Sequence, residues 1–572
     1  MAVRNELGDA VQHDLVIRGG TVVDGTGCAP FLADVGITSG LIAEVGVIAT
    51  AGTREIDATG LMVTPGWVDI HTHYDGQVTW DPTLAPSSWH GVTTAVMGNC
   101  GVGFAPVRPG TESFLIELME GVEDIPGTAL AEGIDWRWET FSEYLDVLDS
   151  IPLSIDVGTQ IPHAPVRLYV LGDRCNTDYV PNADEIAQMA AIVRTGMEAG
   201  ALGFSASRTM LHRDVHGVHT PGTFAGSDEM LALGRALKGL DHGVFQLASD
   251  HLGDEQEWAW IEQVAQDSGR PVTLVPTSEQ AYLNDRVFRM AEDARARGMQ
   301  IRPQTAGRPT GVLHGLQSSY HIFVAVPAFM EIADLPLAEQ VARMTEPALK
   351  ARILEEAAAA GGNLEKRMWY VFPLGTDPDY EPARENSVAG RAAVEGRPAV
   401  DLMYDLLVAE EGRELFYQPL GLYTGYDLRF FERAFEHPDA VFGLSDGGAH
   451  CGVIADAGMP TFILTHWGRD RLRGRTFPIE FLVRKLSRDT ARAYGLHDRG
   501  ELVPGQLGDV NIIDFDKLSL HRPEAIHDLP AGGRRLVQHV DGYRYVLKRG
   551  EAIVIDDQLT EARPGRLVRG GR

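Results

Sequence analysis

The chain has 572 residues, of which 44% are hydrophobic and 23% charged, and a formal net charge of −30. That is ordinary globular composition, with enough chain for a large core and more than one domain. The acidic excess opposes binding to nucleic acid or to an anionic membrane through the overall field, and no uninterrupted apolar run reaches the ~20 residues of a spanning helix. The N-terminal MAVRNELGDAVQHD lacks an apolar core of the signal-peptide kind. Cys28, Cys100, Cys175 and Cys451 are dispersed, without zinc-finger or disulfide-framework spacing. A reduced, cytoplasmic protein is the expectation.

Residues 14–63 read as short strands punctuated by glycine, as in DLVIRGGTVVDG and ADVGITSGLIAEVG. The far end has the same texture in LVPGQLGDVNIIDFD and YRYVLKRGEAIVID. The two ends, residues 1–63 and 496–572, are expected to build one small β-sandwich. Between them, residues 64–495 alternate strand and helix. Apolar strand-like runs fall at 67–73, 93–98, 153–160, 201–207, 244–249, 271–276, 299–305 and 440–446. Helical patterns such as DEIAQMAAIVRTGMEAG and EWAWIEQVAQDSG lie between them and end at glycine, the usual C-cap residue. Eight repeats of strand and helix predict a (β/α)₈, TIM-like barrel in an α/β fold. About residues 310–435 are too long for a connection between strands. They read as a helical insertion, either at the barrel mouth, where loops carry function, or as a peripheral addition.

Active sites of such barrels lie at the C-terminal strand ends. Strand 1 ends in TPGWVDIHTHYD; side chains two apart on a strand share a face, so His71 and His73 aim at one point. Asn99 and Cys100 follow strand 2, His163 strand 3, Asp250 and His251 strand 5, and Asp446 strand 8 in GLSDGGAH, with His450 close behind. Singly, each has an ordinary reading: a polar strand end, an inert buried thiol, a turn-forming Asp before Gly-Gly. Together on one barrel face they are the His, Cys and Asp donors that zinc takes.

The series DLVIRGGTVVDGTG, TPGWVDIHTHYD, HGVTTAVMGNCGVG, GALGFSAS, HLGDE, GLSDGGAH, ARAYG and LVPGQLGDVNIID resembles the amidohydrolase superfamily, and within it the N-acyl-D-amino-acid deacylase (D-aminoacylase) family. The resemblance implies a zinc site held by His71, His73, Cys100 and Asp446, with His251 as the strand-5 histidine. Many superfamily members bridge two metals with a carboxylated strand-4 lysine; no lysine precedes Lys238 here, so the bridging role would pass to the Cys100 thiolate. The family's strand-6 histidine is absent from VTLVPTSEQ. One zinc site is therefore expected complete and the second deficient, with Glu279, His163 or a loop histidine as substitutes.

The implied reaction is hydrolysis of a non-peptide C–N amide, an N-acyl-D-amino acid or a related N-acyl compound, by zinc-activated water with Asp446 as proton carrier. His163 would take an oxyanion or substrate-binding role. Arg208, Arg302 and Arg308 are candidates for a substrate carboxylate, because the guanidinium fork suits it, or else pair with structural acids. The loop MLHRDVHGVHTPG, with His212, His216 and His219, reads as polar surface, with a lid or spare ligand as the alternative; it replaces a Tyr-Pro-like motif of the family. A cyclic-amide hydrolase of hydantoinase or lactamase type is the competing enzyme reading. A non-catalytic barrel scaffold is the reading from another class. The expected partner is a small molecule, without nucleic acid or membrane, and with homo-oligomerisation open.

Overall fold

A computed structural model describes residues 12–175, 179–276 and 281–571. Eight parallel strands form one sheet: β1 (Trp67–Asp69), β2 (Val92–Met97), β3 (Asp156–Pro162), β4 (Gly203–Arg208), β5 (Val244–Ser249), β6 (Val272–Pro276), β7 (Ile301–Thr305) and β8 (Val441–Phe442). Each pairs with its sequence neighbours, and β7 with β8. The strands are almost wholly buried and rich in Val, Ala, Ser and Thr, as expected where helices cover a parallel sheet. Closure between the first and last strands occurs beyond their ends. Thr72 bridges Gly447 in parallel register. His73 N–H donates to the Gly447 carbonyl at 2.8 Å, and Asp446 N–H to the His71 carbonyl at 3.2 Å.

Both termini share a nine-stranded sheet. Its N-terminal strands are Leu15–Val22, Phe31–Thr38, Leu41–Gly46, Arg54–Asp57 and Met62–Pro65, and its C-terminal strands Val510–Ile513, Tyr543–Lys548, Glu551–Ile555 and Gln558–Leu559. The halves meet where Val510–Ile513 runs antiparallel to Met62–Pro65, with Val510 opposite Pro65. Leu15, Ile17, Val35, Ile37, Val63, Val510 and Ile512 form the core of this sheet. Met62–Pro65 leads into β1 after Gly66, so the sheet fixes where the barrel begins.

The insertion has its own core of Phe323, Phe329, Ile353, Met368, Met403, Tyr404 and Phe416. Helices Leu337–Met344, Pro347–Ala360, Val388–Glu395 and Ala399–Val408 surround a three-stranded antiparallel sheet of Gly311–His314, Phe372–Pro373 and Phe416–Pro419. The segment is thus a packed unit, and its edges also line the barrel mouth. Among the described residues no helix is long and apolar enough to cross a membrane.

The barrel is tied to the sheet by a buried charge cluster. Asp156, at the start of β3, lies 2.7 Å from Lys548 Nζ and 2.7 Å from Arg499 Nη1. Lys548 also reaches Asp509 at 2.7 Å, and Arg566 N–H donates to Asp156 at 2.8 Å. The cations Lys548, Arg499 and Arg549 hold the Asp156 carboxyl at about 2 against the desolvation that opposes them. An aspartate whose folded value lies below its ordinary 3.8 adds stability above that ordinary value and loses it as pH falls toward the folded one. The cluster is therefore expected to weaken between about pH 4 and pH 2. Asp156→Asn, which strands buried cations, is expected to cost about 3–5 kcal/mol in urea unfolding. A loss below about 1 kcal/mol would show that the cluster is not what joins barrel to sheet.

Candidate metal centre and active site

Three donors converge where the barrel closes. Beyond β1 the chain stays extended, so His71 and His73 project to the same side; His71 N–H donates to Asp69 Oδ1 at 3.2 Å. Beyond β2 the backbone turns sharply. Gly98 has φ +75°, and a Cβ there would lie 2.3 Å from the Gln160 carbonyl, so only glycine passes. The Asn99 side chain then bonds the carbonyls of Thr72 (3.1 Å) and Val96 (2.9 Å), which delivers Cys100 into the barrel axis at φ +53°. The donor atoms of His71, His73 and Cys100 all lie within 4.8 Å of one another, and all three residues are buried. Cys100 Sγ is 3.4 Å from His71 Nε2. Asp446 completes the set across the seam: its Oδ1 lies 3.4 Å from His71 Nε2 and 4.0 Å from His73 Nε2.

A layer of carboxamides from alternate strands supports these donors. His71 Nδ1–H donates to Gln304 Oε1 of β7 at 2.9 Å, which leaves Nε2 with its lone pair toward the cluster. Gln246 of β5 accepts from Cys100 N–H at 2.9 Å, and Gln160 of β3 donates to Asn99 Oδ1 at 2.8 Å. On the other side stands Glu123, the last residue of helix Glu112–Glu123 and 1% exposed. Its carboxylate lies 3.2 Å from His73 Nδ1 and 3.4 Å from His450 Nε2, while His73 Nε2 lies on the Asp446 side. His450, at φ +50°, and His212, whose Nδ1 is 2.9 Å from Ser207 Oγ, reach the same cavity.

The electrostatics of the site favour a cation. Burial, then Glu123 and Asp446, push the Cys100 thiol up. Burial, then Asp446 and Asp75, push Glu123 up, and burial raises Asp446 to about 6. Burial holds His71 at about 4. Buried acids crowded around neutral imidazoles, with no side-chain cation in contact among the described residues, are costly unless a cation joins them. Two Nε2 atoms, a thiol and a carboxylate suit a divalent transition metal of the zinc kind. His71, His73, Cys100 and Asp446 would hold it, oriented by Gln304 and Glu123.

Several sequence-derived candidates lie elsewhere. His251 is turned out of the barrel by the tight turn between β5 and helix Glu255–Ser268. Its side chain is 46% exposed, beside Asp254 at 3.4 Å, and lines a separate open depression with Arg208. Arg208 is held by Glu257 at 2.8 Å. His163 opens helix His163–Leu171 and is drawn into the helical layer, where its Nε2 meets Glu229 at 2.8 Å beside the buried Arg167–Glu229 pair. Arg302 sits at the start of β7, roughly 7 Å of strand upstream of Gln304, and donates to Gln300. Arg308 does line the cavity. His216 is exposed near Glu117, and His219 packs on Phe224. Glu279 lies outside the described residues. The loop expected to be polar surface instead brings His212 inward. Glu123 and the three glutamines were not anticipated. Glu123 had one signal: it continues the buried stripe Leu115, Leu118, Met119, Val122 of its helix, where an acid is out of place.

Glu123→Gln is expected to weaken zinc binding about 10–100-fold, since it removes the charge behind His73. His251→Ala is expected to leave zinc content unchanged. Elemental analysis after dialysis at fixed free zinc reads both; loss of metal in the His251 variant would return that residue to the site.

Comparison with known proteins identifies the family. A profile described as the amidohydrolase family matches residues 54–554. D-aminoacylase of Alcaligenes xylosoxydans xylosoxydans is 26% identical over 88% of this chain and 89% of its own. The N-acyl-D-glutamate deacylase of the same organism is 26% identical over 97% and 96%. Among solved structures, a D-aminoacylase studied for its binuclear metal centre superposes with a TM-score of 0.64 at 22% identity, over 97% of this chain and 100% of that one. An N-acyl-D-glutamate deacylase from Bordetella bronchiseptica, complexed with zinc and a phosphonate inhibitor, gives 0.64 at 22%, over 98% and 100%. The chain belongs to the amidohydrolase family, enzymes that act on carbon–nitrogen bonds other than peptide bonds.

Proposed function

We propose that this protein hydrolyses the amide bond of a small N-acyl compound with a metal held by His71, His73, Cys100 and Asp446. One observation carries the reading: the buried donor set opens into a cavity of about 430 Å³ at the barrel mouth, a volume that suits a small-molecule ligand. The relatives named for D-aminoacylase and N-acyl-D-glutamate deacylase activity support the reaction class. A bound zinc ion supplies a Lewis acid for the scissile carbonyl and lowers the pKa of a coordinated water toward ~7.

The chain's own residues do the rest. Asp446 Oδ1 stands between both imidazole Nε2 atoms, where its carboxylate takes the proton from the attacking water. The water oxygen bonds to the acyl carbon and the C–N bond breaks. Asp446 then returns the proton to the leaving nitrogen, so that acid and free amine are released. The Gln304 and Glu123 contacts keep the imidazoles from rotating. His450 and His212 supply polar hydrogens at the same cavity. The contribution of the strand-5 and strand-6 positions is small: His251 faces solvent and the strand-6 position carries Pro276, which favours one metal over two.

Asp446→Asn is expected to lower kcat/KM about 10³-fold or more while thermal unfolding stays cooperative. Near-normal turnover in that variant would remove Asp446 from the proton transfers. Chelation should abolish hydrolysis and zinc restore it, in an assay that sets N-acyl compounds beside lactams and hydantoins. Turnover confined to the rings would replace the linear-amide reading with the cyclic one.

A further inference from the structure

We infer that the group held beside the donor set is apolar and uncharged, so that the substrate is a neutral N-acyl compound with a group of aromatic bulk and without a free carboxylate. The inference rests on the amide-hydrolysis reading of the site and narrows it. Away from the donors the cavity wall is made of Val275, Phe288, Val312, Leu422, Phe430 and Phe431. The last two come from helix Arg429–Glu436, which returns from the insertion to the barrel. At the rim, Leu211 is 74% exposed and Leu420 44% exposed. Apolar side chains left open at a concave mouth mark a binding surface.

The charges point the same way. Among the described residues that line the cavity, Arg308 is the one arginine or lysine. It is 2% exposed, its Nη2 is 2.7 Å from Asp456 Oδ1, and its guanidinium lies 4.0 Å over the Tyr380 ring. Its charge is matched and its planar face covered. Arg208 and Arg302 are held elsewhere by Glu257 and Gln300. Among the described lining residues, a substrate carboxylate would meet Glu123, Asp446 and the polar groups of His212, Asn284, Thr310 and His450 but no unmatched arginine or lysine, so its charge would be desolvated without an opposing side-chain charge. An apolar group of the same size loses nothing on entry and gains the contact of the aromatic wall.

A matched pair of probes tests this: N-acetyl-D-phenylalanine and N-(2-phenylethyl)acetamide, which differ only in the carboxylate. Calorimetry on the zinc-loaded full-length protein is expected to show the neutral amide binding at least about tenfold tighter, and kcat/KM to follow the same order. Val312→Arg and the rim variant Leu420→Arg are each expected to narrow that ratio by strengthening binding of the carboxylate probe. Equal or tighter binding of N-acetyl-D-phenylalanine to the unaltered protein overturns the inference, as does binding of neither probe. Preferential binding of the neutral amide without its hydrolysis upholds the apolar cavity and counts against the proposed reaction instead.

Discussion

The seam at which the barrel closes governs the rest of the structure. The first and last strands do not pair along their length; the join is made beyond them, through His73 N–H to Gly447 and Asp446 N–H to His71. The same few residues carry the donor atoms. Closing the sheet and assembling the site are therefore one event, and the imidazoles and the carboxylate inherit their spacing from backbone hydrogen bonds. The local geometry is strained accordingly. Cys100, Asp446 and His450 all have φ near +50°, a conformation that costs a non-glycine residue of order 1–3 kcal/mol. The Asn99 cross-links and the seam hydrogen bonds hold it in place.

Around that seam the two ends of the barrel divide their tasks. At the bottom, Asp156, Lys548, Arg499 and Asp509 lock the barrel to the nine-stranded sheet. At the top, acids are buried around imidazoles with no side-chain cation in contact among the described residues, an arrangement that a bound metal would stabilise. This separation is the one expected of (β/α)₈ barrels, in which one face serves stability and the other chemistry. The glutamine layer between them passes rigidity upward. Gln160, Gln246 and Gln304 come from β3, β5 and β7, and each fixes a donor or its neighbour.

The insertion connects fold to specificity. Its helices pack on their own core, while Leu313, Phe372, Tyr380 and Tyr417 of its strands and loops are buried in the barrel's core, and Val312 and Leu420 at its edges and the helix that follows it line the cavity. The apolar wall and the neutralised Arg308 are products of this enclosure.

Much of this architecture was legible in the chain: the eight strand runs gave the barrel with 67–73 and 440–446 as its first and last strands, the spacing of His71 and His73 put them on one face, and the family resemblance singled out Cys100 and Asp446 beside them. These were legible because strand periodicity and position at a strand end dictate where a side chain points. The strand-6 histidine that the resemblance leads one to expect is absent from VTLVPTSEQ. Where His251, His163, Arg208 and Arg302 point became visible only in the folded chain. Each follows or lies in a barrel strand, but its direction depends on turns and on partners far away in sequence, such as Glu229 and Glu257. Glu123 and His212 reach the site from a helix end and a loop. The helix stripe marks Glu123 as buried but not what it meets, and no local pattern brings either residue to the donors, because that depends on packing against elements distant in sequence, such as the one that carries His450.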